Sequence, residues 1–596
     1  MKMGKGSWLW IICFLAFMNP CSGMENLLRN PEFESNMEGW GTHHDVGDLD
    51  ATTIQGKNSL RIRVRSNESV GFPQAVQHFE VHPGDILHAS ALVRAASMSD
   101  GKGPYLSFSF FGKEPGRLSF TQSSSIHDRN SWVELELVSV VPEEATRASL
   151  CLLLHGHGEA YFSDPFFGIE PGGWEESGAS TGNLIREENR SFDLIGFGGE
   201  DDGWFYNREN LGTGYSQSDV MLREERLRDL DPDWVRMFIW YQDWNPSGDW
   251  ETYDFETDNM KSRYRCLDLY QSIGARVNVV GVEWGVKDPY GNPNKAAHAI
   301  GALLEHLIVD RGYTCIRDWT LSNEPNHYFP RTGYTFEEYK KIHRLVSKEF
   351  ETRGLNIRIV GSDDAEDFSW FSKCVRDEAY RETIGLLASH RYFKDLDRYL
   401  APHFFEQRTE LVTQLDLDLP LTVAEFGFQD SRSGTFDNPI MKTYDYALWT
   451  ASFAIEGLNR GFSGFTIWTL HEMNYPSGRR MMYGLWDDRE NDWNLRPVYY
   501  AWRNFCRLTD AGDRVIPCSL GPFKRVKGVQ IGATLFWVNE SPNQKQIDFK
   551  GYSIDQGLYW NEEIVNAQNL EGREVPIEGD QAVLPSRSFG FFQVEE

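Results

Sequence analysis

Ile316-Arg317-Asp318-Trp319-Thr320-Leu321-Ser322-Asn323-Glu324-Pro325 runs from a short apolar, β-forming segment straight into a polar turn ending on an acid and a proline. One hundred residues later Leu421-Thr422-Val423-Ala424-Glu425-Phe426-Gly427 again carries a single Glu at the end of an apolar run. A carboxylate where a strand leaves the core is costly unless it is paired or used. Two of them at corresponding strand ends call for a chemical explanation.

Working outward, the same texture recurs. Phe192 to Phe197, Trp234 to Phe238, Arg276 to Val282, Ile316 to Leu321, Ile357 to Val360, Ile384 to Ser389, Leu421 to Phe426 and Gly464 to Leu470 read as strands separated by longer helical patterns. Eight βα units at intervals of about 30 to 45 residues predict one (β/α)8 barrel, an α/β fold, over 183–512. Pro497 to Leu508 reads as its last helix, with proline at a first-turn position that needs no N–H partner. Ahead of it, 24–175 runs in short alternating segments such as Trp132-Val133-Glu134-Leu135-Glu136-Leu137, the pattern of an antiparallel β-sandwich. A Gly- and Ser-containing linker follows Pro171. A second, smaller β-sandwich is predicted for 513–596.

Residues 1–23 read as a signal peptide: Lys2 and Lys5, an apolar run from Trp8 to Met18, then Cys21-Ser22-Gly23. The expected location is therefore secreted, periplasmic or cell-surface. Met18-Asn19-Pro20 makes a poor lead-in for a lipid anchor on Cys21, and no later stretch is apolar enough to span a bilayer. Without Lys2 and Lys5 the chain keeps 57 of its 59 basic residues against 88 acidic, a net charge near −31. That excess argues against nucleic acid, whose affinity comes mostly from phosphate neutralisation. Six cysteines follow Cys21 without a CxxC pair or His-rich spacing, so no zinc site is expected; the strand ends lack a His-x-His or carboxylated ligand cluster, so no other metal is expected, and the glycosidase reading needs no cofactor. Cys506 and Cys518 are close enough in sequence to bridge, and buried free thiols are the equal alternative.

Asn323-Glu324-Pro325 on the fourth strand and Glu425 on the seventh resemble the signature of glycoside hydrolase clan A, the retaining β-glycosidases on (β/α)8 barrels. Other strand ends carry the same resemblance: Arg236 on the second, His390-Arg391-Tyr392 on the sixth and Trp468 on the eighth. Gly196-Phe197-Gly198-Gly199 is similar to the opening of glucosylceramidase-like and xylanase-like members, its glycines letting backbone approach a sugar, and the pattern is loosely like families 39, 30 or 5. The resemblance implies Glu324 as general acid/base, Glu425 as nucleophile, Asn323 on the sugar 2-hydroxyl, and Arg236 and Tyr392 holding Glu425 ionised. It also implies a raised pKa for Glu324, and Trp468 beneath the sugar ring. Asn26 to Glu34, with Gly39-Trp40, resembles the first strand of jelly-roll carbohydrate-binding modules.

Further candidates come from residue chemistry alone. Trp240, Trp244 and Trp250 after the second strand and Glu283-Trp284 after the third could stack on or bind a sugar. Asp363-Asp364 after the fifth could bind hydroxyls, and the acidic loop His43 to Asp50 could hold a cation. The expected activity is hydrolysis of a β-linked glycan by double displacement. A transglycosylase on the same fold and a non-catalytic glycan-binding barrel remain open alternatives.

Overall fold

The computed structural model describes residues 24–594 apart from 44–45, 127–130, 143, 172–180, 284–285, 287, 395–397, 399, 431–435, 476–477 and 524. The expected signal peptide and Trp284 lie outside the described residues. The chain divides into two compact units, Met1–Glu175 and Glu176–Glu596.

The first unit is two five-stranded antiparallel sheets. One orders Gly41–His43, Gln74–Glu80, Arg147–His155, Gly103–Phe111 and Arg117–Gln122; the other orders Asp48–Ile54, Lys57–Val64, Gly158–Glu170, Ile86–Ala96 and Val133–Val140. Period-two alternation turns Ile62, Val93, Leu106, Phe108, Leu150, Leu152 and Phe162 inward to one shared core. The segment Asn26 to Trp40 is irregular chain that passes into turns from Pro31, and not the expected first strand. Pro31 cannot donate to a ladder, and Phe33 and Asn36 adopt positive φ. Phe33 instead stacks on Trp40, ring centroids 5.5 Å apart. The acidic loop shows no cation cradle among its described residues, because Asp48 pairs with Arg65 and Asp50 with Arg61.

The second unit holds a closed eight-stranded parallel barrel: β1 (Gly196–Asp201), β2 (Trp234–Trp240), β3 (Arg276–Val282), β4 (Ile316–Thr320), β5 (Arg358–Ala365), β6 (Leu386–Lys394), β7 (Leu421–Gln429) and β8 (Phe462–Ile467). The principal helices that follow them are α1 (Gln217–Leu230), α2 (Asp258–Ser272), α3 (Pro293–Glu305), α4 (Phe336–Arg353), α5 (Phe368–Arg376), α6 (Ala401–Gln414), α7 (Tyr444–Asn459) and α8 (Pro497–Arg507). The fold class is the one expected. β1 starts four residues later than the sequence indicates, because Phe192–Asp193 pairs with Arg514–Ser519 outside the barrel. Gly198 owes its identity to packing: a Cβ there would lie 1.9 Å from the Trp234 carbonyl oxygen of β2. That is strand-to-strand approach, in place of the expected approach to a sugar.

Beyond α8 the chain forms a second sandwich, an eight-stranded and a four-stranded sheet. Short strands at Thr181–Asn183, Ile185–Arg186 and Phe192–Asp193 join it from the N-terminal side of the barrel. Phe505 of α8 ties barrel to sandwich, stacking on Phe536 at 4.6 Å and packing against Phe197 of β1 at 4.9 Å. Cys506 and Cys518 do not bridge; all six cysteines among the described residues are free and buried.

Candidate active site

The site sits at the C-terminal ends of the strands, where the βα loops of a barrel form its pocket. Register shifts between Ser362 and Asp364 on β5 and between Ser389 and His390 on β6 act as bulges and re-aim the side chains that follow. Asp363 (φ 45°) and Glu324 (φ 52°) are both left-handed. Such conformations cost about 1–3 kcal/mol each for a residue with a side chain and collect at functional positions.

Arg236 of β2, fully buried, is the hub. Nη1 donates to Glu200 Oε2 at 2.8 Å and to Glu425 Oε2 at 2.9 Å; Nη2 donates to Asn323 Oδ1 and Asp363 Oδ2, each at 2.8 Å. Tyr392 of β6 donates its hydroxyl to the other Glu425 oxygen at 2.6 Å. His390 lies between the acids, Nε2 3.1 Å from Asp363 Oδ1 and Nδ1 3.3 Å from Glu324 Oε1. His327, one turn after Glu324, places Nδ1 3.4 Å from Glu324 Oε2. One oxygen of Glu324, one of Glu425 and a ring nitrogen of His390 all lie within 4.8 Å of one another.

The electrostatics follow from these contacts. Burial alone would lower the pKa of His390, but Asp363 and Glu425 outweigh it and raise it to about 10. The raised pKa favours the charged imidazole, whose two ring N–H groups point at Asp363 and Glu324. Burial raises Glu425, opposed by His390 and Arg236. Burial also raises Glu324, but contacts with His327 and His390 prevail and hold it below the usual carboxylate range. This corrects the expectation of a raised Glu324: His327 supplies a second imidazole that the motif does not contain. Glu200, deep beside Arg236, is pushed well above the ordinary value by burial.

A cavity of about 550 Å3 opens over the two acids, lined by Asn323, Glu324, Tyr392, Glu425 and an aromatic wall. Trp468 and Trp240 belong to that wall, together with Trp204, Phe238, Phe436, Tyr475 and Tyr483. Arg236 and His390 lie beneath it and reach the cavity only through Glu425, Asn323 and Glu324. Two sets of candidates are used otherwise. Trp244 and Trp250 pack into the loop core, at 0% and 4% exposure. Asp363 and Asp364 are wholly buried, committed to Arg236 with His390 and to Arg408, so neither is free for hydroxyls. Glu283 is buried against Tyr290, which donates to it at 2.7 Å, and burial lifts it to about 7.

Sequence reasoning missed Glu200, His327, Trp204, Gln242 and the aromatic residues after β8. Glu200-Asp201-Asp202 directly after Gly-Phe-Gly-Gly was a readable signal, three acids where a strand meets its loop. His327 one turn past Glu324 was another. Tyr475 and Tyr483 carry no such mark.

No protein-family model and no curated protein matches the chain. Among solved structures it is similar to a GH30 endoxylanase from Clostridium papyrosolvens C71 (14% identity, 69% of this chain and 98% of that chain, TM-score 0.50). It is also similar to a GH39 β-xylosidase from Caulobacter crescentus (13% identity, 70% and 100%, TM-score 0.47). The likeness to the GH30 structure is one of fold, and the eight-stranded barrel is the fold that the resemblance to glycoside hydrolase clan A implies.

Proposed function

We propose that this chain is a retaining glycoside hydrolase acting on a β-linked glycan, with Glu425 as nucleophile and Glu324 as general acid/base. The observation that carries this reading is the placement of the two carboxylates, whose nearest oxygens lie within 4.8 Å. Retention needs carboxyl groups about 5–5.5 Å apart, whereas inversion leaves about 6.5–9.5 Å for a water.

In the first step a Glu425 oxygen attacks the anomeric carbon as the bond to the leaving oxygen breaks, and Glu324 gives that oxygen a proton. In the second, Glu324 takes a proton from water, which displaces Glu425 from the anomeric carbon. Arg236 and Tyr392 hold one Glu425 oxygen each and keep it aimed. A sugar entering beside Glu324 excludes water and competes with His327, and both effects favour the neutral acid. His390, 3.3 Å away, orients the Glu324 carboxyl. Asn323, anchored by Arg236, is placed for a ring hydroxyl, and Trp468 offers an apolar face to the sugar.

The charged n-region and apolar run of residues 1–23 support export. No helix among the described residues is long and apolar enough to cross a membrane. The test is a panel of β-linked polysaccharides and aryl β-glycosides, with xylan and β-xylosides first because the GH30 neighbour is named an endoxylanase. Turnover abolished by Glu425→Gly supports the reading; full activity in that variant removes the nucleophile assignment.

A further inference from the structure

Arg236 donates to four acceptors, and three of them are carboxyl groups: Glu200, Glu425 and Asp363. One guanidinium carries one charge, so the three acids do not ionise with equal ease, and the donors each receives separate them. Glu425 has Arg236 on one oxygen and Tyr392 on the other. Asp363 has Arg236 on one oxygen and His390 on the other. Glu200 has only Arg236 Nη1, the same nitrogen that serves Glu425, and its Oε1 is buried without a partner among the described residues.

The surroundings of Glu200 point the same way. Arg236 stands opposite it in the β1–β2 ladder, Glu425 reaches it from β7, and Asp202 follows β1, accepting from the hydroxyl of Tyr475 in the loop after β8. Burial and the two neighbouring acids all disfavour its charge, with Arg236 alone opposing them. A buried carboxylate oxygen without a donor is costly, and a proton on Oε1 removes that charge while Oε2 still accepts from Arg236. The main chain is anchored as well: the Glu200 carbonyl accepts from Thr469 Oγ1 at 2.6 Å and from the Leu470 N–H at 3.0 Å.

We propose that Glu200 is a positioning residue that works as a neutral acid, holding Arg236 Nη1 against Glu425 without drawing the guanidinium charge away from the nucleophile. The role of Glu425 in this rests on the glycosidase reading above. An ionised Glu200 would divide that charge and set a second negative charge beside Glu425. The neutral acid fixes the guanidinium by geometry alone and leaves its charge to Glu425 and Asp363.

The test uses the full chain with two variants: Glu200→Gln, which keeps an acceptor for Arg236 and cannot ionise, and Glu200→Ala, which removes the acceptor. The infrared difference between wild type and Glu200→Gln at pH 7 should contain the C=O stretch of one protonated carboxyl group. The other buried acids, Asp202 and Glu283 among them, are common to both chains and cancel. A side chain with a purely structural role gives no such band. On an accepted aryl β-glycoside, Glu200→Ala lowers kcat/KM about tenfold or more, chiefly through kcat, and Glu200→Gln recovers most of that loss. A carboxylate band in place of the protonated one, Glu200→Ala as active as wild type, or Glu200→Gln as impaired as Glu200→Ala each overturns the inference and leaves the glycosidase reading intact. Should Glu200→Ala not fold, the infrared difference and the activity of Glu200→Gln decide the matter. Absence of turnover on every glycoside removes the glycosidase reading, and the infrared difference still decides whether Glu200 is neutral.

Discussion

Tyr392 donates its hydroxyl to Glu425 at 2.6 Å, and this bond holds the one carboxylate oxygen that Arg236 does not. A donor of this kind favours the ionised acid, against a burial that raises its pKa. Tyr392→Phe removes the donor and little volume. A hydrogen bond to a charged group contributes about 1.5–3 kcal/mol, so kcat/KM falls by roughly 10- to 150-fold. Because the ionised form loses support, the pKa of Glu425 rises and the acid limb of the kcat/KM profile moves to higher pH. An unshifted limb with unchanged rate would mean that Tyr392 does not act through Glu425.

His327 gives the opposite limb. Its contact with Glu324 stabilises the ionised acid and raises its own pKa in return. His327→Ala withdraws that support, so Glu324 holds its proton to higher pH and the basic limb moves upward. The side chain is 63% exposed, so the fold should be indifferent to the change. A pH profile on one aryl glycoside measures both; a basic limb that stays or falls contradicts the contact's role.

His390 and Asp363 couple the site to stability. His390 is raised to about 10 in the folded chain, above its unfolded value near 6.5, so its contribution is full below the unfolded pKa and is lost as pH rises from about 6.5 to 10. Asp363 is lowered, so its contribution is present above the unfolded pKa near 3.9 and is lost as pH falls through the folded one. Thermal unfolding followed against pH should show wild type losing more stability than His390→Asn between pH 7 and 10. Parallel curves would show that the buried imidazolium is not there.

The joint between barrel and C-terminal sandwich has its own test. Phe505 is 3% exposed and meets rings on both sides. Phe505→Ala leaves a cavity and costs about 3–5 kcal/mol, lowering the denaturation midpoint of the unit that contains it. Phe72→Ala, at a side chain 55% exposed, should change stability by less than about 0.5 kcal/mol.

What the sequence made legible were features governed by local period and strand order. Arg276 to Val282 is a strand with those same bounds because its β-branched run is buried and its ends are sharp. Glu324 was readable because it stands where such a run stops, and Glu425 because it interrupts one, although β7 continues past it to Gln429. Phe192 was misplaced into the barrel because an apolar start looks the same whether it pairs with β8 or with Arg514–Ser519. Asp363 and Asp364 read as free acids because their cations, Arg236 and Arg408, come from strands and helices far away in sequence. The lowered pKa of Glu324 arises the same way, from imidazoles on two different elements, His327 and His390.

The central claim is double displacement by two facing carboxylates, and the anomeric configuration of the first product tests it most directly. Proton NMR of an aryl β-glycoside digest, recorded before mutarotation, should show the β-hemiacetal accumulating first. The α-anomer appearing first would mean inversion through a water and would contradict the account.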